Sequence, residues 1–164
     1  MSATGPLKRV TVWVRSAEAS LALYRDALGL AVLEDKTVSG PAIARMVGLE
    51  QATLRIVHLA PEGATQGWVG LYEISGTAPG APPTLPRAAG FPAYGQATLV
   101  FETGQMAEVL SRVRATPGVE FITAPSEYVK PTGTPAAPAG RYSEVIFFDP
   151  DGIPVSLMGY APLD

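Results

Sequence analysis

Hydrophobic and polar positions alternate from the first segment of the chain. In Leu7–Val14, Val10, Val12 and Val14 interleave with Arg9, Thr11 and Trp13. That period of two predicts a strand with one aliphatic face and one face of Arg9, Thr11 and Trp13. Ser16 then reads as a helix N-cap, with Glu18 in the first turn where the dipole favours a negative charge. Leu21, Tyr24 and Leu28 mark one helical face, and Gly29 ends it. A strand follows over Leu30–Val38, Ser39-Gly40-Pro41 breaks it, and Ala42–Gly48 reads as a short helix or turn. Strands are predicted at Ala52–Ala60 and Trp68–Ser75. Residues 76–94, with Pro79, Pro82, Pro83, Pro86 and Pro92, read as an extended linker.

The same order then repeats. The pattern predicts a strand over Gln96–Glu102 and a helix over Gly104–Ala115, with Met106, Val109, Leu110 and Val113 as its apolar stripe. A short strand is predicted at Val119–Thr123, and Pro131, Pro135 and Pro138 make Tyr128–Gly140 a mobile or extended loop. Strands at Arg141–Phe148 and Ile153–Gly159 flank Asp149-Pro150-Asp151-Gly152, where Pro presets φ and Gly supplies a positive φ. The reading is one domain of 164 residues built from two modules, 7–75 and 95–160. A module of that size buries a core poorly alone, so the two are expected to pair.

Composition narrows the function. Charged residues make up 16% of the chain, net charge is -3 and 47% is hydrophobic. The pI near 5.2 and the lack of a basic cluster disfavour nucleic acid as a partner. No apolar run spans a bilayer and no signal peptide is evident, so a soluble cytoplasmic protein is expected. Cysteine is absent and histidine occurs once, at His58. Disulfides, thiolate chemistry and metal sites needing two histidines from one chain are therefore excluded.

Ser20-Leu21-Ala22-Leu23-Tyr24-Arg25-Asp26-Ala27-Leu28-Gly29-Leu30 and Phe148-Asp149-Pro150-Asp151-Gly152 carry a resemblance. They resemble the S-x-x-F-Y-x-x-x-L-G-L segment and the F-x-D-P-D-G hairpin of the vicinal oxygen chelate superfamily, which includes glyoxalases, bleomycin-resistance proteins and dioxygenases. The resemblance implies an α+β fold of two βαβββ modules forming a half-open barrel around a pocket. It also implies a tendency to form homodimers. The family's metal ligands come from the first and last strands of each module. Carried over, those places hold Arg9, Glu73, Gln96 and Ser156. Arg has no lone pair to offer and its charge repels a cation; an amide, a hydroxyl and one carboxylate make a poor divalent site beside it. No metal and no cofactor are expected.

The residues then suggest a metal-independent enzyme, a lyase or isomerase acting on a carbonyl or oxygen-rich small molecule. Glu73 would be the acid/base and Arg9 would stabilise an oxyanion. Thr11, Trp13, Gln96, Thr98, Ser156 and Met158 are expected to line the pocket. A structural ion pair of Arg9 with Glu73 is the plainer alternative. A non-catalytic, antibiotic-like binding or resistance protein is the competing function, and a metal-dependent lyase or dioxygenase the third. His58 reads as structural, sharing its strand face with Leu54 and Ile56. Tyr128, Tyr142 and Glu144 read as a solvated hairpin or as rim groups over the pocket.

Overall fold

A computed structural model describes residues 3–76 and 92–163. Most of the linker expected at 76–94 lies outside the described residues. The chain separates into two compact units, Met1–Thr84 and Leu85–Asp164, and the architecture is α+β.

In unit 1, β1 (Arg9–Val14) leads to α1 (Ala17–Leu21). The Ser16 hydroxyl accepts from the Ala19 N–H at 3.3 Å, so the predicted cap forms. A π-helical segment, Ala22–Ala27, continues α1, with the Leu28 N–H reaching back to the Leu23 carbonyl at 2.9 Å. Gly29 then takes a φ of 78°, a conformation that only glycine adopts freely, and turns the chain into β2 (Ala31–Ser39). The short segment after Gly40 is a helix, α2 (Pro41–Val47), whose Pro41 sits in the first turn where its missing N–H costs nothing. β3 (Thr53–Ala60) and β4 (Trp68–Ser75) complete a sheet of order β1-β4-β3-β2, parallel between β1 and β4 and antiparallel elsewhere.

That register gives the sheet two distinct faces. Val12, Val14, Val57, Leu59, Val69 and Leu71 are buried on the near face, which α1 covers with Ala17 and Leu21 and which the π-helical segment continues with the buried Tyr24. The far face carries Arg9, Thr11 and Trp13 of β1 beside Trp68, Gly70 and Tyr72 of β4. Part of it is covered by α2, whose Ile43 and Val47 pack on Leu54, Ile56 and Tyr72.

Unit 2 holds β5 (Leu99–Thr103), α3 (Met106–Ala115), β6 (Glu120–Phe121), β7 (Ser126–Lys130), β8 (Gly140–Phe148) and β9 (Pro154–Ala161). Its near face buries Val145, Phe147, Val155 and Leu157 under Val109, Leu110 and Val113 of α3. Two expectations change here. The strand predicted from Gln96 begins only at Leu99, and the predicted loop from Tyr128 contains most of β7, paired with β8. Pro125 explains the break between β6 and β7, because it has no N–H to give the ladder. At this break the Thr123 hydroxyl accepts the Ile146 N–H at 2.9 Å, standing in for a backbone acceptor.

The rest of that loop is tied down. The Tyr142 hydroxyl donates to the Pro138 carbonyl at 2.7 Å and the Tyr160 hydroxyl to the Ala139 carbonyl at 3.1 Å. Lys130 Nζ donates to the Ala137 carbonyl at 3.0 Å. In the Asp149–Gly152 turn, the buried Asp149 carboxylate accepts the N–H groups of Asp151 and Ile153 at 2.9 and 2.8 Å. Its Oδ1 serves the turn.

Candidate functional site on the far face of unit 1

Arg9, Thr11 and Trp13 lie on one face, as the alternation of β1 predicts. Glu73 does not join them. It pairs in register with Val14, on the near face, and its Oε2 accepts the Ala17 N–H at 2.8 Å. A carboxylate there satisfies one of the unpaired donors of α1 and faces the positive end of its dipole. The expected Arg9–Glu73 pair, catalytic or structural, is therefore not assembled: a shift of one residue along a strand changes the face.

The same register corrects the family position in β4. Val12 lies three residues after Arg9 and pairs with Leu71; Leu99 lies three residues after Gln96 and pairs with Val155. Leu71 thus corresponds to Val155, and the residue matching Ser156 is Tyr72. The set at the four places becomes Arg9, Tyr72, Gln96 and Ser156. A guanidinium, a phenol, an amide and a hydroxyl do not fit a divalent cation. Two of them are also engaged: Gln96 Oε1 accepts the Ala93 N–H at 3.2 Å, and Ser156 Oγ donates to Glu144 Oε1 at 2.5 Å. Among the described residues, no cluster of three or more His, Cys, Asp or Glu side chains could hold a metal ion.

What gathers on the far face of unit 1 is a different group. A Cβ placed on Gly70 would lie 3.0 Å from Tyr72 Cε1, 3.4 Å from His58 Cδ2 and 3.5 Å from Arg9 Cδ. The bare glycine lets three side chains from three strands close over its backbone. His58 Nδ1 lies 3.1 Å from Glu34 Oε2, and Nε2 lies 3.3 Å from the Tyr72 hydroxyl. An ionised carboxylate only accepts, so Nδ1 carries the hydrogen and Nε2 accepts from Tyr72. The result is a chain Tyr72–His58–Glu34 running across β4, β3 and β2. Lys36 Nζ, 2.8 Å from Glu34 Oε1, anchors its outer end and holds the Glu34 carboxyl below the usual range.

Around this chain the walls are aromatic and cationic. Trp13 packs edge-on against Tyr72 at 5.4 Å, and His58 lies 6.0 Å from Trp68. The Arg9 guanidinium sits 5.8 Å from the Tyr72 ring. Burial pushes the His58 imidazole below its ordinary pKa; Arg9 adds to that and Glu34 opposes it. His58 is 7% exposed and Trp13 51%, so the chain lies just beneath a rim open to solvent. From the sequence alone His58 reads as structural. Its place beside Leu54 and Ile56 is correct, but its partners come from β2 and β4, which no local pattern identifies.

In unit 2, Ser156 and Met158 share a face with Glu144, and Thr98 precedes β5. Tyr128, Tyr142 and Tyr160 form a ladder with ring separations of 5.3 and 5.3 Å. The three tyrosines line an open groove of about 550 Å³ together with Met106, Glu127, Arg141 and Ser143, so Tyr128 and Tyr142 do border a cavity, while Thr98, Ser156 and Met158 do not line it.

No curated protein matches this chain in sequence. Solved structures match its fold over nearly its whole length. A glyoxalase family protein from Bacillus cereus is 20% identical, with 98% of each chain covered and a TM-score of 0.73. TnmS3, an antibiotic binding protein from a Streptomyces species, is 21% identical, with 98% of this chain and 100% of that chain covered and a TM-score of 0.50. A glyoxalase I variant from Zea mays is 18% identical over 94% of this chain and 46% of that one, with a TM-score of 0.57. The sequence profile of the Glyoxalase/Bleomycin resistance protein/Dioxygenase superfamily matches residues 7–157. The chain belongs to that superfamily, with a set of side chains at its ligand positions that does not suit a metal.

Proposed function

We propose that this protein binds a small organic anion carrying an aromatic or carbonyl group, on the far face of unit 1 and without a metal. The observation that carries the reading is Arg9, an exposed guanidinium held beside the Trp13–Tyr72 aromatic pair. Such an arrangement offers a charge for an acidic oxygen and a wall for a flat ring. A face specialised for binding is in keeping with the antibiotic binding named for TnmS3. A homodimer in the cytoplasm remains part of the proposal, resting on the 47% hydrophobic composition, and light scattering tests the dimer.

The second reading is the metal-independent isomerase or lyase. It loses Glu73 as its base, and what favours it is the buried His58 between a carboxylate and a phenol. Tryptophan fluorescence tests the binding reading, because Trp13 is at the site. Titration with 1-naphthoate should give saturable quenching that Arg9→Gln weakens about tenfold or more, the scale of one charge-assisted contact. The cation 1-naphthylmethylammonium should bind more weakly. Quenching by both probes that is indifferent to Arg9 would sink the proposal.

A further inference from the structure

We infer that unit 2 carries a second binding site, on its near face beyond the start of α3, for a small zwitterion whose ammonium and carboxylate are held apart by an apolar body. Three observations carry it, and none depends on the far face of unit 1. The first is space: the groove of about 550 Å³ falls within the range of about 300–1,000 Å³ that small-molecule sites occupy. The second is its floor. A Cβ on the buried Gly159 would lie 2.6 Å from Ser143 Oγ and 3.3 Å from Met106 Cε, so the bare glycine lets a hydroxyl and a thioether meet over the main chain. The third is charge. Arg141 and Ser143 alternate with Tyr142 and share the near face with the buried Val145. β7 pairs with β8 so that Glu127 lies opposite Ser143 and Val129 opposite Arg141. Glu127 and Arg141 are thus diagonal neighbours on one face, both lining the groove, and among the described residues neither forms an ion pair.

The near face of unit 1 shows what such charges do when they serve the fold. There Arg55 lies 2.8 Å from both Glu18 and Asp35, and Glu73 accepts the Ala17 N–H. In unit 2 the charges beside the helix start stay apart. Diagonal neighbours on antiparallel strands are spaced by about 7–8 Å, so a ligand that reaches both must carry its own charges at a similar span. Arg141 offers a planar fork of donors to a carboxylate, and Glu127 accepts from an ammonium. Between them the wall is apolar: Val129 is 54% exposed, and Met106 brings a flexible thioether that adapts to the shape of a guest. A simple anion or a simple cation would leave the opposite charge unmet, so the site favours a molecule that carries both. An α-amino acid holds its two charges too close together to meet both residues.

The probe is trans-4-(aminomethyl)cyclohexanecarboxylate, whose rigid ring separates an ammonium from a carboxylate. Amide NMR on the isotope-labelled full chain at pH 7 should show saturable shifts at Ser143 and Gly159. Cyclohexanecarboxylate, which lacks the ammonium, and cyclohexylmethylammonium, which lacks the carboxylate, should each bind about tenfold more weakly, the scale of one charge-assisted contact. Arg141→Gln and Glu127→Gln should each weaken the full probe by a similar factor; both positions are exposed, so the variants should fold. The losses should also cross. Glu127→Gln should leave the affinity for cyclohexanecarboxylate within about twofold, and Arg141→Gln that for cyclohexylmethylammonium, because each truncated probe has already lost the contact that the variant removes. Absence of saturable shifts with the full probe, shifts confined to residues outside the groove, or equal affinities for the three probes in native and variant chains would overturn the site. Trp13 and Trp68 both lie in unit 1, so naphthoate quenching reports the far face alone, and either reading can fail without the other.

Discussion

The two units share an architecture and use their far faces in different ways. In unit 2 the polar groups are tied to structure: Ser156 to Glu144, Tyr142 and Tyr160 to the carbonyls of Pro138 and Ala139. In unit 1 the polar groups bind one another across strands, and among the described residues no carboxylate forms an ion pair with Arg9. The edge strand beside β3, or beside β8 in unit 2, differs as well. β2 is one continuous strand of nine residues, whereas its counterpart in unit 2 is split into β6 and β7 around Pro125. A continuous β2 brings Glu34 and Lys36 opposite β3, and so completes the His58 chain. The comparison teaches that a repeated architecture can keep its near-face core and use its far face differently, since the near face of both units is packed under a helix while the far face of unit 1 is packed under α2 only in part.

The largest effects should come from what the units have in common. Leu71→Ala and Leu157→Ala each remove a fully buried near-face side chain. Each should cost about 2–5 kcal/mol by urea denaturation, as leucine truncations in packed cores do. A cost under about 1 kcal/mol in one unit would mean that its near face is not a core.

Next come the glycines. A Cβ on Gly140 would meet the Ala161 carbonyl oxygen at 2.7 Å, a backbone atom that cannot swing aside. Gly140→Ala should cost about 1–3 kcal/mol through overpacking. Gly70→Ala meets only side chains, at 3.0 Å and beyond. It should be milder in stability, yet it should weaken ligand binding by displacing Tyr72, His58 and Arg9. Equal behaviour of the two variants in melting and in binding would erase the distinction between a structural and a functional face.

Glu73→Ala should cost about 1 kcal/mol through the lost helix cap, with naphthoate quenching unchanged. Loss of binding with stability unaltered would restore Glu73 to the site.

The smallest effect is the pH dependence. His58 has a folded pKa below its usual value of about 6.5, so the unfolded chain binds the proton more readily. Stability should be full above about pH 6.5 and should fall as pH drops toward the folded value. The carboxylates held low by their partners, Glu34 and Asp35, add their own losses only near pH 4 and below. Urea titrations at pH 7 and pH 5 should therefore show a smaller drop in His58→Gln than in the native chain. Amide exchange should place that drop in unit 1. An identical drop in the two proteins would mean that His58 does not titrate as its surroundings imply.

Local patterns determined much of this protein. The alternation in β1, the Ser16 cap, the turn at Gly29 and the Asp149–Gly152 hairpin were all legible, because each follows from residues within a few positions of one another. The duplication was legible for the same reason, since each module repeats a strand, a helix and three further strands. The unsuitability of Arg9, Gln96 and Ser156 for a metal was also plain, as it rests on side-chain chemistry alone. Register decided the rest. Strand pairing offset Glu73 by one residue from the place it was given and put Tyr72 there, and in a sheet that offset exchanges solvent face for helix face. Pairing also set His58 between Glu34, 24 positions earlier, and Tyr72, 14 positions later, over a glycine that no pattern singles out. β7 was hidden because its strand character comes from β8, not from its own residues. Composition and periodicity report what a segment can become; which side chains meet depends on hydrogen bonds between segments distant in sequence, and those exist only in the folded chain.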